Sequence, residues 1–256
     1  MTAARRGPST LRKLALALLL ALGQPARAET EVGIVTFTVD TAYASFFDRF
    51  MPEFFQRAIP GTLFAQTEAI GTAPNRITWD DLRSLKAQGW DFGAHGHAHV
   101  RLSQASDIEL EHELAVPAAR IFRATGVYPH MLASPYGDHD DWVLDHIRLY
   151  YDAHFRAWGN DGINPLDGTD HYRINRKQIA PTLPVETICA EIERAGREGL
   201  WLVYLWHEVT ETPEHPWHAS VEQFLGVLDC ADRLRDQGIV RLMNAGEALK
   251  LVPHKP

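Results

Sequence analysis

The chain has few cysteines, little positive charge and no second long apolar run. Only two of its 256 residues are cysteine. Two thiols cannot supply a four-cysteine zinc site or a multi-bridge secreted scaffold. Neither Cys189 nor Cys230 lies in a motif with a partner base, so neither reads as a nucleophile. Both fall in helix-like segments, where each serves equally well as half of a disulfide or as a small core residue. Lysine and arginine number 25 against 33 aspartates and glutamates, a net charge of −8. A general nucleic-acid binder needs a basic face, and this composition argues against one. Residues 14–22 are the longest uniformly apolar stretch, too short to span a bilayer comfortably. Internal repeats and low-complexity segments are also missing, which excludes solenoid and disordered classes.

What the N-terminus does have is a targeting pattern. Arg5, Arg6, Arg12 and Lys13 form a basic region, the apolar run follows, and Ala26-Arg27-Ala28 is a small-x-small cleavage site. We therefore read residues 1–28 as a signal peptide, and residues 29–256 as one domain exported to the periplasm or beyond. Arg5-Arg6 hints at twin-arginine export, but Gly7-Pro8-Ser9 fits it poorly, which favours the general secretory route. Losing five basic and no acidic residues takes the net charge from −8 to −13. No stable membrane insertion is expected after cleavage.

The rest alternates strand-like and helix-like segments. Strands are expected at residues 32–39, 62–67, 90–94, 129–133, 151–157, 172–179, 200–206 and 239–243. Ser45, Thr78 and Ser106 read as helix N-caps, Ser106 with capping-box spacing to Glu109. A helix after Ser45 carries Phe46, Phe47, Phe50 and Phe54 on a core-facing stripe. The helix after Ser106 is open to a kink at Pro117. Further helices are expected at 185–197 and 220–237. Residues 159–171, rich in Gly, Asn and Asp, read as a surface loop. Such alternation implies βα units and a parallel sheet, and at this length closure into a barrel.

Barrels of this kind place active residues where strands end, and the chemically interesting residues fall there. Asp40 ends the first strand, where a carboxylate suits a general base or a metal ligand. His95 and His99 follow the third. Their spacing of four puts both imidazoles on one face of a helical turn, able to share a metal ion. Pro135-Tyr136-Gly137 makes a turn that can aim a backbone N–H into the cleft. His207 leaves the apolar strand at 200–206 as a candidate general acid.

Together these residues resemble the polysaccharide deacetylase family, the NodB-homology or carbohydrate esterase family 4 group. Thr38-Val39-Asp40-Thr41-Ala42-Tyr43 is similar to its Thr-Phe-Asp-Asp-Gly motif. His95–His99 matches His-(Ser/Thr)-x-x-His in spacing, Pro135-Tyr136-Gly137 matches its Pro-Tyr-Gly, and Leu205-Trp206-His207 matches Leu-x-His. The resemblance implies a deformed (β/α) barrel of about seven parallel strands and a hydrolase acting on carbon–nitrogen bonds other than peptide bonds. It also implies a divalent metal, zinc by preference, on His95 and His99, with Asp40 as base and His207 as acid. The substrate would be an acetylated polysaccharide or oligosaccharide of the GlcNAc type, contacted by Pro135, Tyr136 and Trp206, with Trp158 and Glu208 as further lining.

Three departures stand out. Thr41 replaces the family's metal-binding aspartate, Gly96 replaces the usual Ser/Thr, and Ala133 stands where many members carry an arginine that pairs with the base. Either two histidines hold the metal alone, or Asp40 or His97 joins them, or activity is lost. A non-catalytic glycan- or partner-binding barrel and an allantoinase-like hydrolase of small amides remain the alternatives.

Overall fold

The seven residues Ile34–Asp40 form the first strand, β1, and all are buried. Its two-residue period sends Val35, Phe37 and Val39 into one core cluster and Ile34 into another. Thr36, Thr38 and Asp40 share the face of Ile34, so that face grows polar toward the strand's C-terminal end. The computed structural model describes residues 31–41 and 43–254, and the expected signal segment lies outside them.

After β1 come α1 (Ala44–Gln56), β2 (Gly61–Ala65), α2 (Trp79–Ala87), β3 (Asp91–Ala94), α3 (Asp107–Thr125), β4 (Met131–Ala133), α4 (Asp141–Ile147) and β5 (Ala153–Phe155). The second half holds β6 (Ile163–Pro165), β7 (Lys177–Gln178), α5 (Val185–Glu198), β8 (Leu200–Trp206), β9 (Glu208–Thr210), β10 (His218–Ser220), α6 (Val221–Asp236), β11 (Arg241–Leu242) and α7 (Ala245–Leu251). No described helix is long and apolar enough to cross a membrane.

The main sheet runs β5-β4-β3-β2-β1-β8-β6, with β11 beside β1 and β7 beside β8. All its pairings are parallel except β6 with β8. Residues 171–178 close the curl. Ile174 pairs with Phe155 on one side, and Lys177–Gln178 pair with Tyr204–Leu205 on the other. The result is the deformed barrel expected from the sequence. One core cluster fills its interior around Phe64, Phe155 and Trp201. The other joins the sheet to the helices, where Phe46, Phe50 and Phe54 of α1 meet Phe224 of α6.

Several local expectations need correction. Ser45 does not cap α1, which starts two residues earlier than expected, at Ala44 after Tyr43. Its N–H instead donates to Asn75 Oδ1 at 3.0 Å, so a distant loop does the capping. Thr78 and Ser106 do form capping boxes. α3 runs through Pro117 without interruption. Residues 159–171 are not simply a surface loop, because β6 lies within them, antiparallel to β8. Asn164 fixes that strand: its buried side-chain amide donates to the carbonyls of Gly162, Asn175 and Trp201. A polar residue at the centre of such a network makes a buried strand look like a loop in sequence. Cys189 and Cys230 are bonded to each other, α5 to α6, with Cα atoms 5.9 Å apart.

Candidate active site

The C-terminal ends of β1, β3, β4 and β8 surround a cleft of about 500 Å3. Asp40, Thr41, His95, His99, Ser134, Tyr136 and His207 line it. Five of the seven residues expected at the site thus fall together.

Asp40 is 1% exposed and faces a guanidinium that sequence reasoning missed. Arg176, itself fully buried, donates from Nη1 to Asp40 Oδ1 at 2.7 Å and from Nη2 to Oδ2 at 3.0 Å. Its Nε donates to Arg156 O, and Nη1 also reaches Thr38 Oγ1. Burial alone would raise the Asp40 carboxyl; the Arg176 charge, with His95 adding to it, brings it down to about 2. The arginine partner that Ala133 does not supply to Asp40 therefore comes from the segment closing the barrel. Its signal in the sequence is an arginine on the same face of an expected strand as Ile174.

His95 and His99 do converge, but not on a helical turn. Both lie in the loop after β3, where Gly96 (φ 69°) and His99 (φ 63°) take left-handed conformations. Glu113 of α3 holds this loop by accepting the N–H groups of His97 and Ala98. A β-carbon at position 96 would come within 2.7 Å of that carboxylate, which explains glycine there. Glu113 sits among the apolar residues Leu110, Leu114 and Pro117 of α3. An acid on a buried helical stripe was the clue.

The His95 Nδ1–H donates to Ala133 O at 2.8 Å, because a carbonyl can only accept. That leaves its Nε2 lone pair facing His99 Nε2 at 3.2 Å. Two nitrogens each about 2.0–2.1 Å from one zinc ion have close to this separation at a near-tetrahedral angle. The pair therefore fits a shared divalent ion. Asp40 Oδ2 lies 3.8 Å from His95 Nε2. Among the described residues no cluster of three His, Cys, Asp or Glu side chains has metal-ligand spacing. His97 is turned away, with Nδ1 3.0 Å from Thr67 Oγ1 and its ring against His112. Burial and the neighbouring His95 push His99 down to about 3, so its ring is neutral and able to ligate.

His207 follows β8 on the same side of the strand as Leu205. Its Nδ1 lies 2.7 Å from Gln178 Oε1, to which it donates, leaving Nε2 free. Burial pushes it down to about 4, against the pull of Asp40. Gln178 was not foreseen; it orients the imidazole from β7, two residues after Arg176.

Two expected substrate contacts are overturned. Trp206 is fully buried and packs on Phe224 at a centroid distance of 5.3 Å. The alternation of β8 explains this: Trp206 shares the helix-facing side with Leu202 and Tyr204, opposite to His207. Pro135 is buried beneath the histidine loop, while Tyr136, at φ 60°, projects and lines the cleft. Trp158 lines the cleft as expected, together with Trp217, which was not anticipated. Glu208 is not among the lining residues and instead accepts a bond from Ser45.

Residues 27–151 match the family model described as Polysaccharide deacetylase. No curated protein matches the chain by sequence. Among solved structures, a family 4 carbohydrate esterase from Streptomyces lividans in complex with acetate is 15% identical, with a TM-score of 0.60 over 88% of this chain and 98% of that one. A family 4 acetyl xylan esterase from Clostridium thermocellum, solved with a cobalt ion, is 16% identical, with a TM-score of 0.59 over 86% and 93%. A mutant of a family 4 pseudoenzyme with restored activity is 14% identical, with a TM-score of 0.58 over 88% and 70%. These structures share the barrel. With the ordered motifs and the matched stretch in agreement, residues 27–151 are similar to the polysaccharide deacetylase family, hydrolases of carbon–nitrogen bonds other than peptide bonds, and the rest of the chain completes the same fold.

Proposed function

We propose that the chain is an exported, metal-dependent deacetylase that removes acetyl groups from a GlcNAc-type polysaccharide. The observation that carries this reading is the convergence of the Arg176-paired Asp40 with two imidazole nitrogens 3.2 Å apart. A divalent ion on His95 and His99, zinc by preference, would supply Lewis-acid polarisation of the acetyl carbonyl. Asp40 takes a proton from the attacking water. Its pairing with Arg176 keeps the carboxylate ionised, so it is in the form that can accept a proton. His207, neutral at pH 7, receives the proton at Nε2 and delivers it to the departing amine nitrogen as the C–N bond breaks. Water thus adds its oxygen to the acetyl carbon, one of its protons goes to the amine nitrogen, the other leaves with the acid, and the acetic acid released ionises to acetate at neutral pH. Tyr136, Trp158 and Trp217 offer aromatic faces on which sugar rings can stack.

The test is acetate release from N-acetylglucosamine oligomers by metal-loaded protein, before and after chelation. Release that stops on chelation and returns with zinc is the expected result. No acetate from any acetylated glycan would sink the proposal. A second reading, a glycan-binding barrel without catalysis, draws on Thr41 and on the missing third ligand among the described residues. Glycan binding without acetate release would favour it.

A further inference from the structure

Arg76 lies at the mouth of the cleft and plays no part in the chemistry above. It is anchored there. Its backbone bridges to Tyr43, and the preceding Asn75 is tied to α1 through the Ala44 and Ser45 N–H groups at 3.2 and 3.0 Å. The guanidinium lies 4.0 Å over the Tyr43 ring. A stacked guanidinium presents its edge in a fixed plane, the geometry that takes a carboxylate through two parallel bonds.

The edge is unfilled. A guanidinium has five N–H donors. Among the described residues, Arg76 uses one of them, in a long 3.3 Å bond from Nη1 to Asn75 O. Its Nε is buried with no partner among the described residues, and none of their carboxylates comes within ion-pair distance. Among the described residues the only acidic side chain lining the cleft, Asp40, is already matched by Arg176. Arg76 is therefore an uncompensated positive charge facing the cleft of a strongly acidic chain. A neutral sugar hydroxyl would fill one donor and leave the charge unmatched, whereas a carboxylate fills two and neutralises it.

We infer that Arg76 is a specificity residue, and that the substrate is an acetylated glycan carrying a carboxylate on the sugar next to the one deacetylated. This rests on the deacetylase reading for where the acetyl group sits.

The experiment measures binding by calorimetry and acetate release in parallel, using zinc-loaded protein at low salt. The probes are a hyaluronan tetrasaccharide and a muramic-acid-containing disaccharide, each compared with the same molecule after reduction of its carboxylates to alcohols. For the wild type, at least one acid is expected to bind about tenfold tighter than its reduced form. In Arg76→Gln that ratio falls to near one, whatever the absolute affinities. In Arg76→Lys, which keeps the charge but loses the planar fork, it is intermediate. Equal binding of acid and reduced forms by the wild type, or an unchanged ratio in Arg76→Gln, overturns the inference. A carboxylate preference without acetate release would leave Arg76 as assigned and sink the deacetylase reading instead.

Discussion

Thr41 lines the cleft beside Asp40 with φ at 77°, a left-handed conformation that is an outlier for a β-branched residue. Holding an L-residue there costs about 1–2 kcal/mol, less for Asp and Asn. Its N–H donates to Phe64 O at 3.1 Å, which fixes the backbone. Thr41→Asp relieves part of that cost and adds a hard anionic oxygen near two imidazoles. It also adds a charge beside Asp40; unscreened at 4 Å, like charges cost about 4 kcal/mol at an effective dielectric of 20. Arg176 already balances Asp40, so the actual penalty is smaller, and a bound cation removes it. We expect zinc affinity to rise at least about tenfold, equivalent to about 1.4 kcal/mol. In a chain of this size that adds about 3–5 °C to the zinc-induced rise in melting temperature. Thr41→Asn is the control: it relieves the backbone without the charge, and should melt a few degrees higher with no gain in zinc affinity. Competition with a chromogenic chelator gives the affinities, and thermal melts with and without zinc give the shifts. Equal or weaker zinc binding by Thr41→Asp would show that the side chain at 41 does not reach the metal.

Arg176→Met strands a buried carboxylate and should cost on the order of 3–5 kcal/mol at pH 7 by urea unfolding; because burial then dominates Asp40, its carboxyl titrates high and the loss should shrink in acid. Burial, with His139 adding, holds His154 down to about 3, below its unfolded value of 6.5. Between these values the unfolded state binds the extra proton, so the stability this residue contributes is full above pH 6.5 and declines toward pH 3, by up to about 1.4 kcal/mol per pH unit. His154→Gln should flatten that slope, and parallel stability–pH curves would refute it. Replacing Cys189 and Cys230 by alanine removes a cross-link spanning 41 residues and should cost about 4 kcal/mol by urea unfolding; a loss below 1 kcal/mol would refute the loop-entropy argument.

The sequence showed most where one residue type at a strand end has few uses. Asp40, His95, His99 and His207 were legible because the barrel collects strand ends on one side. It was misleading where spacing has two explanations: residues four apart suggest a helical turn, yet His95 and His99 meet through two left-handed residues and the Glu113 clamp. Trp206 precedes His207 yet does not reach the cleft, because neighbours on a strand face opposite ways. Arg176 and Gln178 were invisible as partners because their roles depend on a pairing across 136 and 29 residues respectively. The Gly159–His171 stretch hid β6 because a buried polar residue, Asn164, stands at the centre of that strand.

The segment that closes the barrel also carries Arg176 and Gln178, and this ties assembly to chemistry. Asp40 is made early in synthesis, but its counter-charge arrives 136 residues later. Until residues 171–178 dock between β5 and β8, burying Asp40 is opposed by its unpaired charge. The ion pair therefore rewards only the closed topology and penalises premature collapse of the first half. A truncated or misregistered chain would keep both histidines and still lack a charge-balanced base. Charge balance at Asp40 and closure of the sheet therefore depend on one and the same pairing.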